Sequence, residues 1–158
     1  MRNPRLGIVV PYRRRPHHLN TFLPNITRYL DGQGINYKVI IVDQDDSKDF
    51  NRGMLCNIGF QEAEKNACRY VVFHDVDMIP INVDYTYSTH PVHLISNDLP
   101  FETYFGGITL FPSNVFKKIN GFSNFYWGWG FEDDDLRYRC IKNKVKLKKI
   151  KHTSKYAN

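Results

Sequence analysis

Tyr70-Val71-Val72-Phe73-His74 is an unbroken apolar, β-branched and aromatic run that ends in Asp75-Val76-Asp77, with Met78-Ile79-Pro80 after it. The run is short enough for a buried strand. Residues two apart on an extended segment point the same way, so both carboxylates are expected to face one site. In open α/β sheets ligands bind outside the carboxyl ends of the strands, where this pair falls. A hard divalent cation on a nucleotide diphosphate needs one or two such carboxylates and takes its other ligands from phosphate and water. Alone, an Asp-x-Asp reads more readily as two turn carboxylates after a strand, so the metal reading needs a second element beside it.

The rest of the chain alternates. Strands are predicted at Leu6–Tyr12, 37–42, Tyr70–His74, 92–96, 104–111 and 145–150, and helices at 16–30, 51–66, 113–119 and Glu132–Lys142. Pro16 suits a first helical turn, Gly32 and Gly34 a helix end, and Ser113 a cap. The β-α-β-α-β start predicts an α/β sandwich with a mainly parallel sheet. No repeat, linker, P-loop or Gly-x-Gly-x-x-Gly is present, which disfavours NTPase and dinucleotide folds.

The second acidic element is Trp127-Gly128-Trp129-Gly130-Phe131-Glu132-Asp133-Asp134-Asp135. Four carboxylates in a row suit the positive end of a helix macrodipole. That leaves the two indoles and two glycines unexplained. A large apolar ring strips water from a carboxylate and raises its pKa, and a glycine lets the backbone bend or approach a ligand closely. The segment is therefore read as a helix start that also presents a general base to a sugar-sized pocket.

With both elements in place, the chain resembles the β-1,4-galactosyltransferase family, which has the GT-A fold. The likeness runs in order from residue 8 to residue 152. It includes Ile8-Val9-Val10-Pro11-Tyr12-Arg13-Arg14-Arg15 with His18-Leu19, and Phe50-Asn51-Arg52 with Asn57-Ile58-Gly59-Phe60. Asp75-Val76-Asp77, Tyr104-Phe105-Gly106-Gly107 and Asn120-Gly121-Phe122 before the Trp-Gly-Trp-Gly segment complete it. The resemblance implies a GT-A-like α/β/α sandwich, one catalytic domain over residues 1–158, and inverting transfer of galactose from UDP-galactose to a sugar hydroxyl in a β linkage. A remnant that only binds nucleotide-sugar or glycan, and a UDP-GalNAc transferase, are the alternatives.

It also implies residue roles. Asp133 is the base, Glu132 and Asp134 hold the acceptor, and Trp129 stacks on the sugars and closes the pocket. Gly130, Tyr104 and Gly107 line the sugar site, and Tyr104 crowds a donor's N-acetyl group. Arg13, Arg15 and Val76 contact the nucleotide, Pro11, Phe50 and Arg52 surround the uracil, and Asp75 lies near the ribose. Asp77 and His152 hold Mn²⁺, with Mg²⁺ as the second candidate. The family's further metal ligand, a Met, is Lys149 here, and an ammonium has no lone pair to give. No Lys occurs between Lys65 and Lys117 and no Arg between Arg69 and Arg137, so the animal enzymes' phosphate-binding lysine is missing. Only six residues follow His152, so the family's lid and acceptor-shaping helix are expected to be mostly absent.

At 158 residues, a single domain burying ~70% of its unfolded surface is expected. No apolar run is long enough to span a membrane. Three cysteines, Cys56, Cys68 and Cys140, suit free thiols in a reducing compartment. The expectation is a cytoplasmic bacterial or viral type of member, or a domain cut from a longer protein. Much of the net charge of +6 lies in the lysines from Lys142 onward. Lys144-Val145-Lys146-Leu147-Lys148 reads as a strand with one wet face. It offers attraction to an anionic membrane surface or acidic glycan, and the lack of interleaved aromatics argues against nucleic acid.

Overall fold

The computed structural model describes residues 3–95 and 103–150. The elements run β1 (Leu6–Tyr12), α1 (Pro16–Gly32), β2 (Tyr37–Asp43), α2 (Arg52–Lys65), β3 (Tyr70–His74), β4 (Val92–His93), β5 (Ile108–Pro112), α3 (Ser113–Lys118), α4 (Glu132–Lys142) and β6 (Lys148–Lys149). The six strands form one sheet in the order β2-β1-β3-β5-β4-β6. The β1–β2, β1–β3 and β4–β6 pairs are parallel, and β5 is antiparallel to both its neighbours.

The pleat of β1 shows why the sheet is covered on both faces. Leu6, Ile8, Val10 and Tyr12 pack with Phe22, Ile26 and Leu30 of α1. Val9 points the other way, into a cluster with Cys56, Phe60 and Ala63 of α2, Phe116 of α3, and Leu136 and Cys140 of α4. Successive strand side chains alternate faces, so a fully apolar strand needs helices on both. Helix α2 lies close because Gly59 has no side chain: a Cβ there would stand 2.2 Å from Val9 Cγ1. The result is an α/β/α sandwich, in keeping with the α/β sandwich expected from the strand–helix alternation and the three layers that the family resemblance implies.

Local chemistry sets the boundaries. Asn51 caps α2, its side chain accepting from the Met54 amide at 2.9 Å. Pro16 opens α1 and Gly34, with φ +65°, follows its end. Four expectations change. Ser113 is not a cap; its hydroxyl donates to the Cys68 carbonyl at 3.2 Å, tying α3 to the start of β3. The strand expected from residue 104 begins only at Ile108, because Gly107 turns the chain at φ +74°. The last strand shrinks to Lys148–Lys149 at the sheet edge, although Lys144, Lys146 and Lys148 are exposed and Val145 and Leu147 half-buried, as their alternation predicts. The fourth strand covers only Val92–His93, and the end of its predicted range lies outside the described residues. Among the described residues, no helix is long and apolar enough to cross a membrane.

Candidate active site

The acidic elements meet through one arginine. Arg52 opens α2 directly after its Asn51 cap, and its guanidinium reaches across the ends of the strands. Nε donates to Asp75 Oδ1 at 2.8 Å and Nη1 to Asp133 Oδ1 at 3.0 Å, with Glu132 Oε1 3.8 Å from the same nitrogen. The Nη2 atom is buried without a partner. Three carboxylates thus share one cation. Burial alone would lower the Arg52 pKa, but the surrounding carboxylates outweigh it and the shift is upward. For Asp75, Glu132 and Asp133 burial is the largest influence, and it raises each pKa despite the arginine.

Asp75 and Asp77 do not face one site. Residues 75–78 form a turn, with the Met78 amide 3.3 Å from the Asp75 carbonyl, so the strand alternation assumed for the pair stops at His74. Asp75 points inward to Arg52. Asp77 points outward, its Oδ2 accepting from Arg15 Nη1 at 3.0 Å in an exposed pair. The intervening Val76 is buried in the core. His152, the second expected metal ligand, lies outside the described residues. Among the described residues no three His, Cys, Asp or Glu side chains group around a metal-sized space. One carboxylate at a strand end is nonetheless a sufficient protein contribution where diphosphate and water supply most ligands, so Asp77 fits such an ion.

The four carboxylates of α4 divide their work. Glu132 is buried, Asp133 turns in to Arg52, Asp134 is exposed, and Asp135 pairs within the helix with Arg139 Nε at 2.7 Å. The loop before them passes through three left-handed residues: Gly128 at φ +85°, Gly130 at +99° and Phe131 at +71°. Its start is anchored by the Gly128 amide, which donates to the Phe50 carbonyl at 2.8 Å. The indoles do not cover the carboxylates as expected. Trp129 is 100% exposed, and Trp127 is half-exposed beneath Lys48, whose Nζ lies 5.4 Å from the ring centroid. Glu132 and Asp133 are desolvated from the protein side instead, by α2 and the segment before β5.

That segment carries what the sequence reading missed. A Cβ on Gly106 would stand 2.2 Å from Asp133 Oδ2 and 2.9 Å from the Tyr104 hydroxyl. The bare Gly106 backbone is therefore the wall against which the carboxylate rests, with Tyr104 beside it. The Gly106 carbonyl accepts from His93 Nε2 at 2.9 Å and from the Ile108 amide at 2.9 Å. The neighbouring Gly107 carbonyl accepts from the Asp75 amide at 2.9 Å. No local motif marks His93, the second of two histidines, after His90, in a turn-rich stretch.

Of the residues expected around the nucleotide, Pro11 and Val76 are buried and Phe50 is half-buried. Arg13 holds its own loop, Nη1 donating to the Lys48 carbonyl at 2.5 Å and Nη2 to that of Asp46 at 2.8 Å. Arg15 lies against Asp77. A cleft of about 570 Å³ between Arg5, Asn36, Asn66, Arg69 and Tyr87 opens before β1 and β3, and none of the acidic residues lines it. The acidic cluster around Arg52 lies at the opposite strand ends.

Residues 2–90 match the N-terminal region of glycosyl transferase group 7, and residues 89–158 the N-terminal domain of galactosyltransferase. The chain is 42% identical over 158 residues to the β-1,4-galactosyltransferase 4 of Mus musculus, covering 93% of the chain and 45% of the relative. It thus spans about half the length of the curated relatives it matches. The catalytic domain of the Drosophila β-1,4-galactosyltransferase 7, solved with xylobiose, superposes with a TM-score of 0.90 at 32% identity, over 98% of this chain and 68% of that one. A mutant of the same Drosophila enzyme, in complex with manganese, UDP-Gal and xylobiose, gives 0.87 at 33% identity, over 92% and 64%. These likenesses agree with the GT-A-like sandwich.

Proposed function

The chain belongs to the group 7 glycosyltransferases, the family of the β-1,4-galactosyltransferases, and from that premise we propose that residues 1–158 are a catalytic domain moving galactose from UDP-galactose to a sugar hydroxyl, with inversion. The observation that carries the reading is the Arg52 bridge, which joins the strand-end Asp75 to Asp133 at the start of α4. A nucleotide-side carboxylate and a base-side carboxylate thereby belong to one site.

Asp133 serves as the base. The acceptor oxygen attacks the anomeric carbon on the face opposite UDP, the bond to the diphosphate oxygen breaks, and the hydroxyl proton passes to the Asp133 carboxylate. Burial supports the role by raising the carboxylate's pKa, which strengthens it as a base, while Arg52 favours the ionised form ready to accept. Glu132 and Asp134 flank the acceptor, Trp129 supplies an exposed ring for a sugar face, and Gly130 gives that loop its bend. Tyr104 and Gly107 border the donor sugar. Pro11, Phe50 and Arg52 lie around the uracil, Val76 contacts the nucleotide, Arg13 and Arg15 lie at the diphosphate end, and Asp75 faces the ribose. Asp77 and His152 would hold a Mn²⁺ or Mg²⁺ ion, which when bound neutralises charge developing on the departing diphosphate. Donor binding then draws Arg15 from Asp77 to phosphate oxygens, to which its fork is suited.

Three buried, unpaired cysteines support a reducing, cytoplasmic compartment, and the exposed lysine edge supports contact with an anionic glycan or membrane surface. The test is incubation of the chain with UDP-galactose, Mn²⁺ and a panel of β-linked acceptor sugars, with UDP release and glycan mass as readouts. A product heavier by one hexose, formed only with divalent metal, is expected. Unaltered acceptors together with no UDP-galactose binding would overturn the reading.

A further inference from the structure

The turn at Gly106-Gly107 joins the two halves of the site. The Ile108 amide donates to the Gly106 carbonyl two residues back, and Gly107 between them has φ +74°. This is the left-handed form of the γ-turn, which a glycine adopts without the clash a side chain would meet. A glycine is free to take other conformations as readily, so the contacts around the turn hold it in this one. Both glycines are committed. Gly106 lies bare against Asp133 Oδ2, and the Gly107 carbonyl holds the Asp75 amide. A shift of the turn would therefore move Asp75 and Asp133 relative to each other.

One side chain pins it. His93 is buried on β4, and its Nε2–H donates to the Gly106 carbonyl at 2.9 Å. Its ring packs edge-on to Tyr104, with centroids 5.5 Å apart, and against Phe105 at 5.6 Å. Because the carbonyl is acceptor only, the bond fixes the proton on Nε2. The strand pairing beside it, Leu94 amide to Ile108 carbonyl at 2.9 Å, gives the histidine a rigid base.

We propose that His93 is a positioning and donor-selecting residue: its hydrogen bond to Gly106 and its ring contact with Tyr104 hold the γ-turn that sets Asp133 against Asp75 and keeps the Tyr104 hydroxyl at the donor sugar. The proposal deepens the galactosyltransferase reading and rests on it for the donor. His93 touches neither substrate. It acts through Gly106 and Tyr104.

Two variants separate this role from simple core filling. His93→Phe keeps a ring on Tyr104 and removes the N–H, whereas His93→Gln restores a donor at similar reach. For His93→Phe, kcat with UDP-galactose is expected to fall about tenfold or more, since small displacements of reacting groups have effects of that size. UDP affinity by calorimetry in Mn²⁺ should stay within about threefold, and the ratio of UDP-GalNAc to UDP-galactose use should rise as Tyr104 loosens. His93→Gln should recover most of both. Amide exchange gives a readout that needs no turnover: Ile108 and Asp75 should lose protection in His93→Phe and regain it in His93→Gln. Unchanged protection, or His93→Gln as impaired as His93→Phe, overturns the positioning role. Loss of protection in a chain that never turns over UDP-galactose keeps the pin and instead refutes the donor reading.

Discussion

Asp133 sits between an arginine that favours its charge and a buried wall that opposes it, and the balance leaves its pKa above the ordinary carboxylate value. Its Oδ1 is held by Arg52, and its Oδ2 rests on the bare Gly106 backbone. Asp133→Asn keeps the shape but cannot take a proton at neutral pH. Sugar transfer should fall by ~10²-fold or more while UDP still binds, as initial rates and calorimetry would show. Wild-type turnover would move the role to Glu132 or Asp134. The sign of the pH response follows from the same group: transfer should decline as pH falls, beginning above the range of an unperturbed aspartate, because protonated Asp133 cannot accept. Gly106→Ala tests the wall. The added Cβ would overlap Asp133 Oδ2 and crowd the Tyr104 ring, so kcat should drop by about tenfold or more through misplacement of the base, with UDP affinity kept. Tyr104→Leu should narrow or reverse a preference for UDP-galactose over UDP-GalNAc, since a close-packed pocket tolerates little extra volume. Equal use of both donors by the unmodified chain would remove the argument for Tyr104.

At the scale of elements, what was legible depended on how local the cause is. β1, β3 and α4 have the bounds read from the sequence, because an apolar run or a left-handed loop followed by acidic residues determines each one nearby. β5 was read as starting early because Tyr104-Phe105 looks like strand; the turn at Gly107 depends on Asp75 and His93, which are distant in sequence. The Asp75–Asp77 pair was expected to share a face, but the chain turns at the end of β3 and the two carboxylates go to different arginines. Arg52 was expected beside a uracil. Its ion pairs with residues 23 and 81 positions away carry no local signature. The end of β3 also carries a testable device. His74 is wholly buried, its Nδ1–H donating to the Asp75 carbonyl and its Nε2 accepting from the Tyr85 hydroxyl, both at 2.9 Å. Burial lowers its pKa from the ordinary 6.5 to about 4. Between those values the unfolded chain holds a proton the folded chain does not, so this contribution is complete above about pH 6.5 and is lost as pH falls towards 4. By pH 5 the loss is about 2 kcal/mol. The raised carboxylates Asp75, Glu132 and Asp133 act in the opposite sense, so the comparison must be between proteins. His74→Phe keeps the ring stacked near Phe22 and Tyr85 and should be clearly less stable than the parent at pH 7.5, with the gap closing at pH 5. Urea midpoints at the two pH values measure it, and a constant gap would show that His74 takes up its proton equally in the folded and unfolded chain.

For the whole molecule, the decisive contrast is an acidic site in a basic chain. The net charge is +6, yet the strand ends gather Asp75, Asp77, Glu132 and Asp133, and among the described residues their ionic partners are Arg15 and Arg52. A nucleotide diphosphate brings further negative charge to that end, so its binding should require a divalent cation to offset the repulsion. Binding to the folded state alone adds about 2.7 kcal/mol at a hundredfold excess over Kd, which for a chain of this size raises Tm by roughly 5–10 °C. The measurement needs neither acceptor nor turnover, so it examines the donor half of the site without depending on parts of the longer relatives this chain does not span. UDP with Mn²⁺ should raise Tm by that amount, and UDP with excess chelator should not. Asp77→Asn should abolish most of the metal-dependent rise, and His152→Ala should reduce it less, because the carboxylate supplies charge as well as a ligand while the imidazole supplies only a lone pair. A rise of equal size in chelator would mean that the strand-end carboxylates bind no metal for the diphosphate. Arg13 and Arg15 would then have to hold the phosphates unaided.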